Sequence, residues 1–216
     1  MHTHQLRRVY WLGGSPCAGK STVSEMIAEQ LGWQVYHCDD WDEVHRARAD
    51  VVKHPTFHAV TKLRGDALWL RPVEEQLATE IRFHGEQLAL VLEDLPQILA
   101  TDERPLLVEG SAPLPHLLTP LLPNRHHAFW LIPTETFQRY YYAQRPWVPG
   151  QLATTSNPAQ AFENWMQRDA AFARWLEGQV AHDNLEWWQV DGTISIEETA
   201  ELVTKHFCPM LPNAPV

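Results

Sequence analysis

The sequence predicts an α/β protein: a five-stranded parallel sheet with helices packed on both faces. Three observations carry that prediction. Five short apolar runs recur along the chain, each of a length suited to a buried strand, and stretches with period 3.6 separate them. The opening reads strand, glycine-rich loop, helix, strand, which is a βαβ unit with its right-handed crossover. The third observation is size, since 216 residues are enough for one such domain, read here as a single unit over 1–216.

The first strand is Val9 to Leu12, ending in Gly13-Gly14. From Lys20 the apolar positions Val23, Met26, Ile27 and Leu31 fall on one helical face, and Gly32 stands where a helix C-cap belongs. Gln34 to Cys38 is the second strand. Residues 41–104 contain no convincing strand; Pro72, then Val73, Leu77, Ile81, Leu88, Leu92, Leu95 and Leu99, predict one long helix or two broken near Gly85. Leu106 to Val108 is the third strand, closed by Glu109-Gly110, and His127 to Ile132 the fourth, closed by Pro133. A helix from Thr134 to about Gln144 stops at Pro146. Trp147 to Ser156 reads as a loop, and Asn157-Pro158 opens a long helix as N-cap and first helical residue, with Phe162, Trp165, Met166, Phe172, Trp175, Leu176 and Val180 as its apolar stripe. Trp187 to Val190 is the fifth strand, Ser195 and Glu198 form a capping box for the last helix, and the tail from Pro209 reads as frayed.

Composition narrows the function. Apolar residues at 44% and charged residues at 20% exclude a disordered chain. A net charge of -10 argues against a general nucleic-acid binder, while leaving room for a local phosphate pocket. Runs such as Leu88 to Leu92 fall short of a membrane span, and Met1 to Gln5 carry no signal-peptide core. Cys17, Cys38 and Cys208 are odd in number and widely spaced, which suggests neither a disulfide framework nor a CxxC zinc site and points to a reducing, cytoplasmic setting. His54 and His58, four apart, are interrupted by Pro55 and lack an HExxH context, so no zinc site is expected.

In parallel sheets ligands sit beyond the carboxyl ends of the strands, and every candidate motif falls there. Gly14-Ser15-Pro16-Cys17-Ala18-Gly19-Lys20-Ser21 fits GxxxxGK[ST] in full, follows a strand and opens a helix. Glycines let the backbone turn its N–H groups toward phosphates, the helix N-terminus favours their charge, Lys20 reaches the β- and γ-phosphates, and Ser21 holds Mg²⁺, with Thr22 beside it. Average composition yields this pattern by chance in roughly one chain per hundred of this length. The fold expected is therefore a three-layer P-loop NTPase fold, with a helical substrate-binding insertion over 41–104 and a lid over 134–168.

No NKxD or DxxG motif of a GTPase is present, and the chain is short for a motor ATPase. The block from Gly14 to Asp40 resembles shikimate and gluconate kinases. Counted from Lys20, Asp39 falls where those families place the aspartate that contacts the acceptor hydroxyl, and His37 stands where shikimate kinase has another aspartate near the metal. Val190-Asp191-Gly192-Thr193 before the capped last helix looks like the adenine-contacting loop of nucleoside monophosphate kinases, so Asp191 and Gly192 are read as nucleotide-binding. A carboxylate at Glu109, at the end of the third strand, is placed to hold a Mg²⁺-bound water, Gly110 lets the acceptor approach the backbone, and the pair is similar to an acid–glycine pair in uridine-kinase-like sequences.

On the acceptor side, Asp39 and Asp40 are the candidate orienting carboxylates. Lid arginines normally answer the charge that spreads over a transferring phosphoryl group, and Arg145 and Arg168 are chosen ahead of Arg139. Trp41 and Trp69 are candidates to stack on a ring-bearing acceptor. Three readings stand: an ATP- and Mg²⁺-dependent kinase acting on a hydroxyl of a small molecule; a nucleoside or nucleotide kinase, for whose phosphate Lys53, Lys62, Arg64, Arg71 and Arg82 are available; and an ATP-binding regulator without acceptor turnover.

Overall fold

The computed structural model describes residues 5–207, so Met1 to His4 and the tail from Cys208, including the expected frayed end, lie outside the described residues. The strands are β1 Val9–Gly14, β2 Gln34–His37, β3 Leu106–Glu109, β4 Ala128–Pro133 and β5 Trp187–Val190. All run parallel in the order β2-β3-β1-β4-β5. The helices are α1 Lys20–Leu31, α2 Asp42–Arg48, α3 Pro55–Val60, α4 Asp66–Trp69, α5 Val73–Thr101, α6 Pro115–Leu118, α7 Glu135–Ala143, α8 Val148–Leu152, α9 Pro158–His182 and α10 Ile196–Phe207.

Strand alternation sorts the core into two layers. Val9, Trp11, Val108, Trp130 and Ile132 point to the face covered by α5 and α9, where Leu88, Leu95, Phe172 and Leu176 meet them. Tyr10, Leu12, Leu107, Phe129 and Leu131 point to the other face, against Val23 and Ile27 of α1 and Val203 and Phe207 of α10. Because both faces are covered, the central strands are apolar except at Glu109, the last residue of β3, and each fully buried large side chain contributes about 1.5–3 kcal/mol.

Cap chemistry behaves as the residue types require. Gly32 ends α1, its N–H bonding to Ala28 O, and Asn157 Oδ1 accepts from Gln160 N at 3.2 Å to start α9. Ser195 and Glu198 exchange both capping-box bonds, at 2.7 and 3.1 Å.

One alternative is settled and three expectations change. α5 runs unbroken through Gly85 and Pro96, because its buried stripe of Leu88, Val91, Leu95 and Leu99 outweighs the roughly 1 kcal/mol cost of a glycine. Cys38 leaves β2 to begin a 3₁₀ turn, Cys38–Trp41. His127 belongs to the 3₁₀ turn before β4, where its ring stacks on Tyr10 at 4.9 Å, and Pro133 ends the strand itself. The segment read as a loop contains α8, whose Val148 and Leu152 are buried in a third apolar cluster with Trp69, Tyr142, Trp165 and Met166. That cluster joins the lid region to the 41–104 insertion, and Ser156 N donating to Asp66 Oδ1 at 2.7 Å ties them again.

Candidate active site

The loop between β1 and α1 is set by close packing at Gly14. Its φ is +140°, and a Cβ there would lie 1.9 Å from the carbonyl oxygen of Leu131, so only glycine fits between the two strands. Cys17 takes a φ of +65° in the same turn. Ser15 is buried and its carbonyl accepts from Lys20 Nζ at 2.9 Å, which folds the lysine back along the loop. Gly14 and Ser15 thus shape the loop from beneath, and Pro16 through Thr22 form one wall of a cleft of ≈ 460 Å³ at the carboxyl edge of the sheet.

Glu109 stands opposite that wall. Strand register sets it beside Leu12 of β1 and His37 of β2. Its carboxylate is buried, with Oε1 accepting from Ser21 Oγ at 3.1 Å and lying 2.7 Å from His37 Nδ1. Glu109 is therefore a held group and not a solvated turn residue, and His37 orients it from the neighbouring strand. Gly110 follows with φ +150°; a Cβ there would come 2.7 Å from the Cβ of Cys38. That clearance lets the Cys38–Trp41 turn cross the end of β3.

The turn separates the two adjacent aspartates. Asp39 lines the cleft, whereas Asp40 does not. Three residues per 3₁₀ turn send consecutive side chains in different directions, so the two aspartates do not share the cleft. Trp41 lies face to face on Tyr36 at 5.0 Å, outside the cleft lining. Trp69 is buried against Trp165 at 4.5 Å. Neither tryptophan read as a stacking surface lines the cleft; Trp147 and Trp165 do.

The arginines divide similarly. Arg145 lines the cleft and also a second recess, its guanidinium over the rings of Tyr142 at 5.3 Å and Trp147 at 5.5 Å. It makes no ion pair among the described residues. Arg168 is buried and spent: it pairs with Asp169 Oδ1 at 2.6 Å and Glu80 Oε2 at 3.3 Å, and lies over Trp69. It lines the cleft as a cation already paired within the protein. Arg139 bridges Glu135 and Glu163 away from the cleft.

Two residues of α5 went unread in the sequence, Glu80 and His84. They share a helical face four positions apart, a spacing visible in the sequence, and both line the cleft. His84 Nε2 lies 3.2 Å from Glu80 Oε1, and His84 Nδ1 lies 3.1 Å from Gln87 Oε1. Burial would raise the Glu80 carboxyl, but the charge of Arg168 and the contact with His84 outweigh it and hold it at about 2. Asp169 accepts from Tyr142 Oη at 3.0 Å and Trp165 Nε1 at 3.2 Å; burial pushes it above the ordinary aspartate range, against the pull of Arg168.

The second recess, ≈ 550 Å³, lies between the loop residues Cys17 to Gly19, Phe137 and Tyr141 of α7, and the segment around Gly192 and Ile196. Asp191 does not line it. Its Oδ1 accepts from Thr193 N at 2.9 Å and Thr193 Oγ1 at 2.6 Å, so it is a turn former that presents Gly192.

No helix among the described residues is long and apolar enough to cross a membrane, and among those residues no group of three His, Cys, Asp or Glu side chains is placed to hold a metal ion by itself. No family model matches the chain, and no curated protein matches it. Among solved structures it is similar to deoxyadenosine kinase from M. mycoides with bound dATP, at TM-score 0.45 and 12% identity over 91% of this chain and 96% of that one. It is also similar to shikimate kinase from Acinetobacter baumannii in complex with shikimate, at TM-score 0.41 and 13% identity over 98% and 100%. A complete GxxxxGK[ST] loop between β1 and α1, at the carboxyl edge of a parallel sheet ordered β2-β3-β1-β4-β5, makes this chain a three-layer P-loop fold.

Proposed function

We propose that the protein is a phosphotransferase that moves the γ-phosphoryl group of ATP to a hydroxyl of a small molecule. The observation that carries this reading is the placement of Lys20, Ser21, Glu109 and Asp39 around one cleft, with a second recess opening from the same loop. The loop amides and Lys20 bind the phosphates, the second recess takes the nucleobase, and the cleft takes the acceptor. Ser21 and Glu109 offer hard oxygen donors 3.1 Å apart beside the loop, a set that fits Mg²⁺ better than a soft metal. Mg²⁺, when held there, neutralises charge on the β- and γ-oxygens.

Asp39 supplies the acceptor chemistry. Its carboxylate accepts the hydroxyl proton as the acceptor oxygen forms its bond to the γ-phosphorus and the bond to the β-bridging oxygen breaks, leaving ADP. Arg145, facing both recesses, answers the charge of the transferring group. The cleft-facing carboxylate is also what favours transfer over ATP binding as a mere signal.

The test is transfer of γ-labelled phosphate from ATP into a protein-free metabolite extract, with wild type and Asp39→Asn. A labelled small molecule that disappears in the variant is expected. Release of free phosphate alone, or equal labelling by both proteins, overturns the reading.

A further inference from the structure

The acceptor side of the cleft has a charge pattern that selects among acceptors. Three cations line the cleft: Lys20, Arg145 and Arg168. Lys20 lies along the phosphate loop, and Arg145 stands at the junction with the second recess, so both serve the donor. Arg168, the one on the acceptor side, has its guanidinium bonded to Asp169 and Glu80 and its face against Trp69. An incoming carboxylate or phosphate would have to displace a buried ion pair to reach it. None of the insertion's other cations lines the cleft: Lys62 is against His58, Arg64 donates to Thr61 O and Leu63 O, and Arg71 donates to Thr79 while its charge supports the Glu80 carboxylate from outside the lining; Lys53 and Arg82 are absent from the lining as well.

Beside His84 and Ser111, two carboxylates on that side accept hydrogen bonds. Asp39 lines the cleft with no side-chain hydrogen bond or ion pair among the described residues. Glu80 also lines the cleft, paired with Arg168 and close to His84, and a carboxylate offers about four acceptor positions, more than these two contacts use. Trp147 and Trp165 also line the cleft, and aromatic surface there favours a ring or a cation over an anion.

Resting on the kinase reading, we infer that the acceptor is an uncharged or cationic hydroxyl compound that offers hydrogen-bond donors to Asp39 and Glu80, and that Glu80 is a specificity-determining residue held by Arg168. Hydroxy acids and nucleoside monophosphates fit this pattern less well, because each would set an anion against the carboxylates of Asp39 and Glu80, while the unpaired cation of the cleft, Arg145, stands at the junction with the donor recess.

The experiment separates a protein-free metabolite extract at pH 7 into three pools: retained by a cation exchanger, retained by an anion exchanger, and retained by neither. Each is offered to the wild-type protein with γ-labelled ATP, beside shikimate, gluconate and AMP as single probes. Label is expected in a product from the cation-retained or unretained pool, and none in the three anionic probes. Label arising only from the anion-retained pool, or turnover of any of the three probes at a rate matching the best pool, overturns the acceptor class and leaves the kinase reading standing. No label from any pool removes the kinase reading, and the acceptor class with it. With the active pool, Glu80→Gln is expected to raise the acceptor KM about tenfold or more while kcat and the KM for ATP stay within about threefold, since Asp39 and the loop are untouched; an unchanged acceptor KM removes Glu80 from recognition.

Discussion

Ser21 Oγ donates to Glu109 Oε1 across 3.1 Å, joining the first turn of α1 to the last residue of β3 over 88 positions of sequence. His37 Nδ1 meets the same oxygen at 2.7 Å, so the carboxylate is fixed from both sides. Glu109→Gln preserves the shape and both contacts while removing the charge. Transfer is expected to fall about 10²-fold or more, with nucleotide binding retained and a higher Mg²⁺ requirement. Steady-state rates titrated with Mg²⁺ test this; an unaltered Mg²⁺ profile would remove Glu109 from the metal side.

Gly110 couples that carboxylate to the acceptor side. A Cβ at this position would lie 2.7 Å from the Cβ and 2.9 Å from the Sγ of Cys38. Cys38 is buried and cannot yield without moving the turn that carries Asp39. Gly110→Ala is therefore expected to depress kcat and raise the acceptor KM while the Kd for ATP stays within about threefold. Calorimetric titration with ATP beside kinetics separates the two effects. Equal losses in both would mean that the whole loop region, and not the turn alone, had shifted.

How far the sequence reached depends on how local each relationship is. The phosphate loop is eight consecutive residues between a strand and a helix, and such a pattern is complete in one dimension. Asp39 was legible because the length of α1 and β2 fixes where the second strand ends. Spacing from Lys20 sets Asp39 ahead of its neighbour Asp40, but the 3₁₀ turn that separates their directions is not visible in the sequence. Arg168 looked like a lid cation because nothing in its own helix announces Glu80, which lies on α5 and meets it only through tertiary packing. Trp41 and Trp69 were read by proximity in sequence to the aspartates and the insertion, yet stacking on Tyr36 and Trp165 decides where they point. The long α5 was visible as periodicity, while its continuity through Gly85 and Pro96 reflects burial that periodicity does not measure.

Arg145 lines both recesses, and its guanidinium is held by aromatic faces instead of carboxylates. Such a cation keeps its charge available to a phosphoryl group. Arg145→Ala is expected to lower kcat by about 10²-fold or more, with a smaller rise in the KM for ATP. Arg145→Lys should recover little of the loss, because a point charge neither stacks on Tyr142 and Trp147 nor offers a planar fork. Full activity in the lysine variant would show that only charge, and not stacking, is used.

Asp94 of α5 fastens the acceptor-side turn from behind. Its Oδ2 accepts from Tyr36 Oη at 2.6 Å and lies 2.9 Å from His45 Nε2, and its Oδ1 pairs with Arg48, so one carboxylate ties β2 and α2 to the long helix. Burial alone would raise this carboxyl, but the hydrogen bonds from Arg48, Tyr36 and His45 win and hold it below the ordinary aspartate range. A depressed folded value stabilises the protein above the unfolded-chain value, and the stabilisation is lost as pH falls through the folded one. Asp94→Asn weakens these bonds and is expected to cost about 1.5–3 kcal/mol, or roughly 3–12 °C in Tm for a chain of this size. The gap between wild type and variant should be full at pH 7 and narrow as the pH is lowered below about 4, since protonation removes from the wild type the charge that the variant already lacks. Melting curves of both proteins across that range measure it. A gap that stays constant down to pH 3 would mean that shape, and not the charge of Asp94, holds α2 in place.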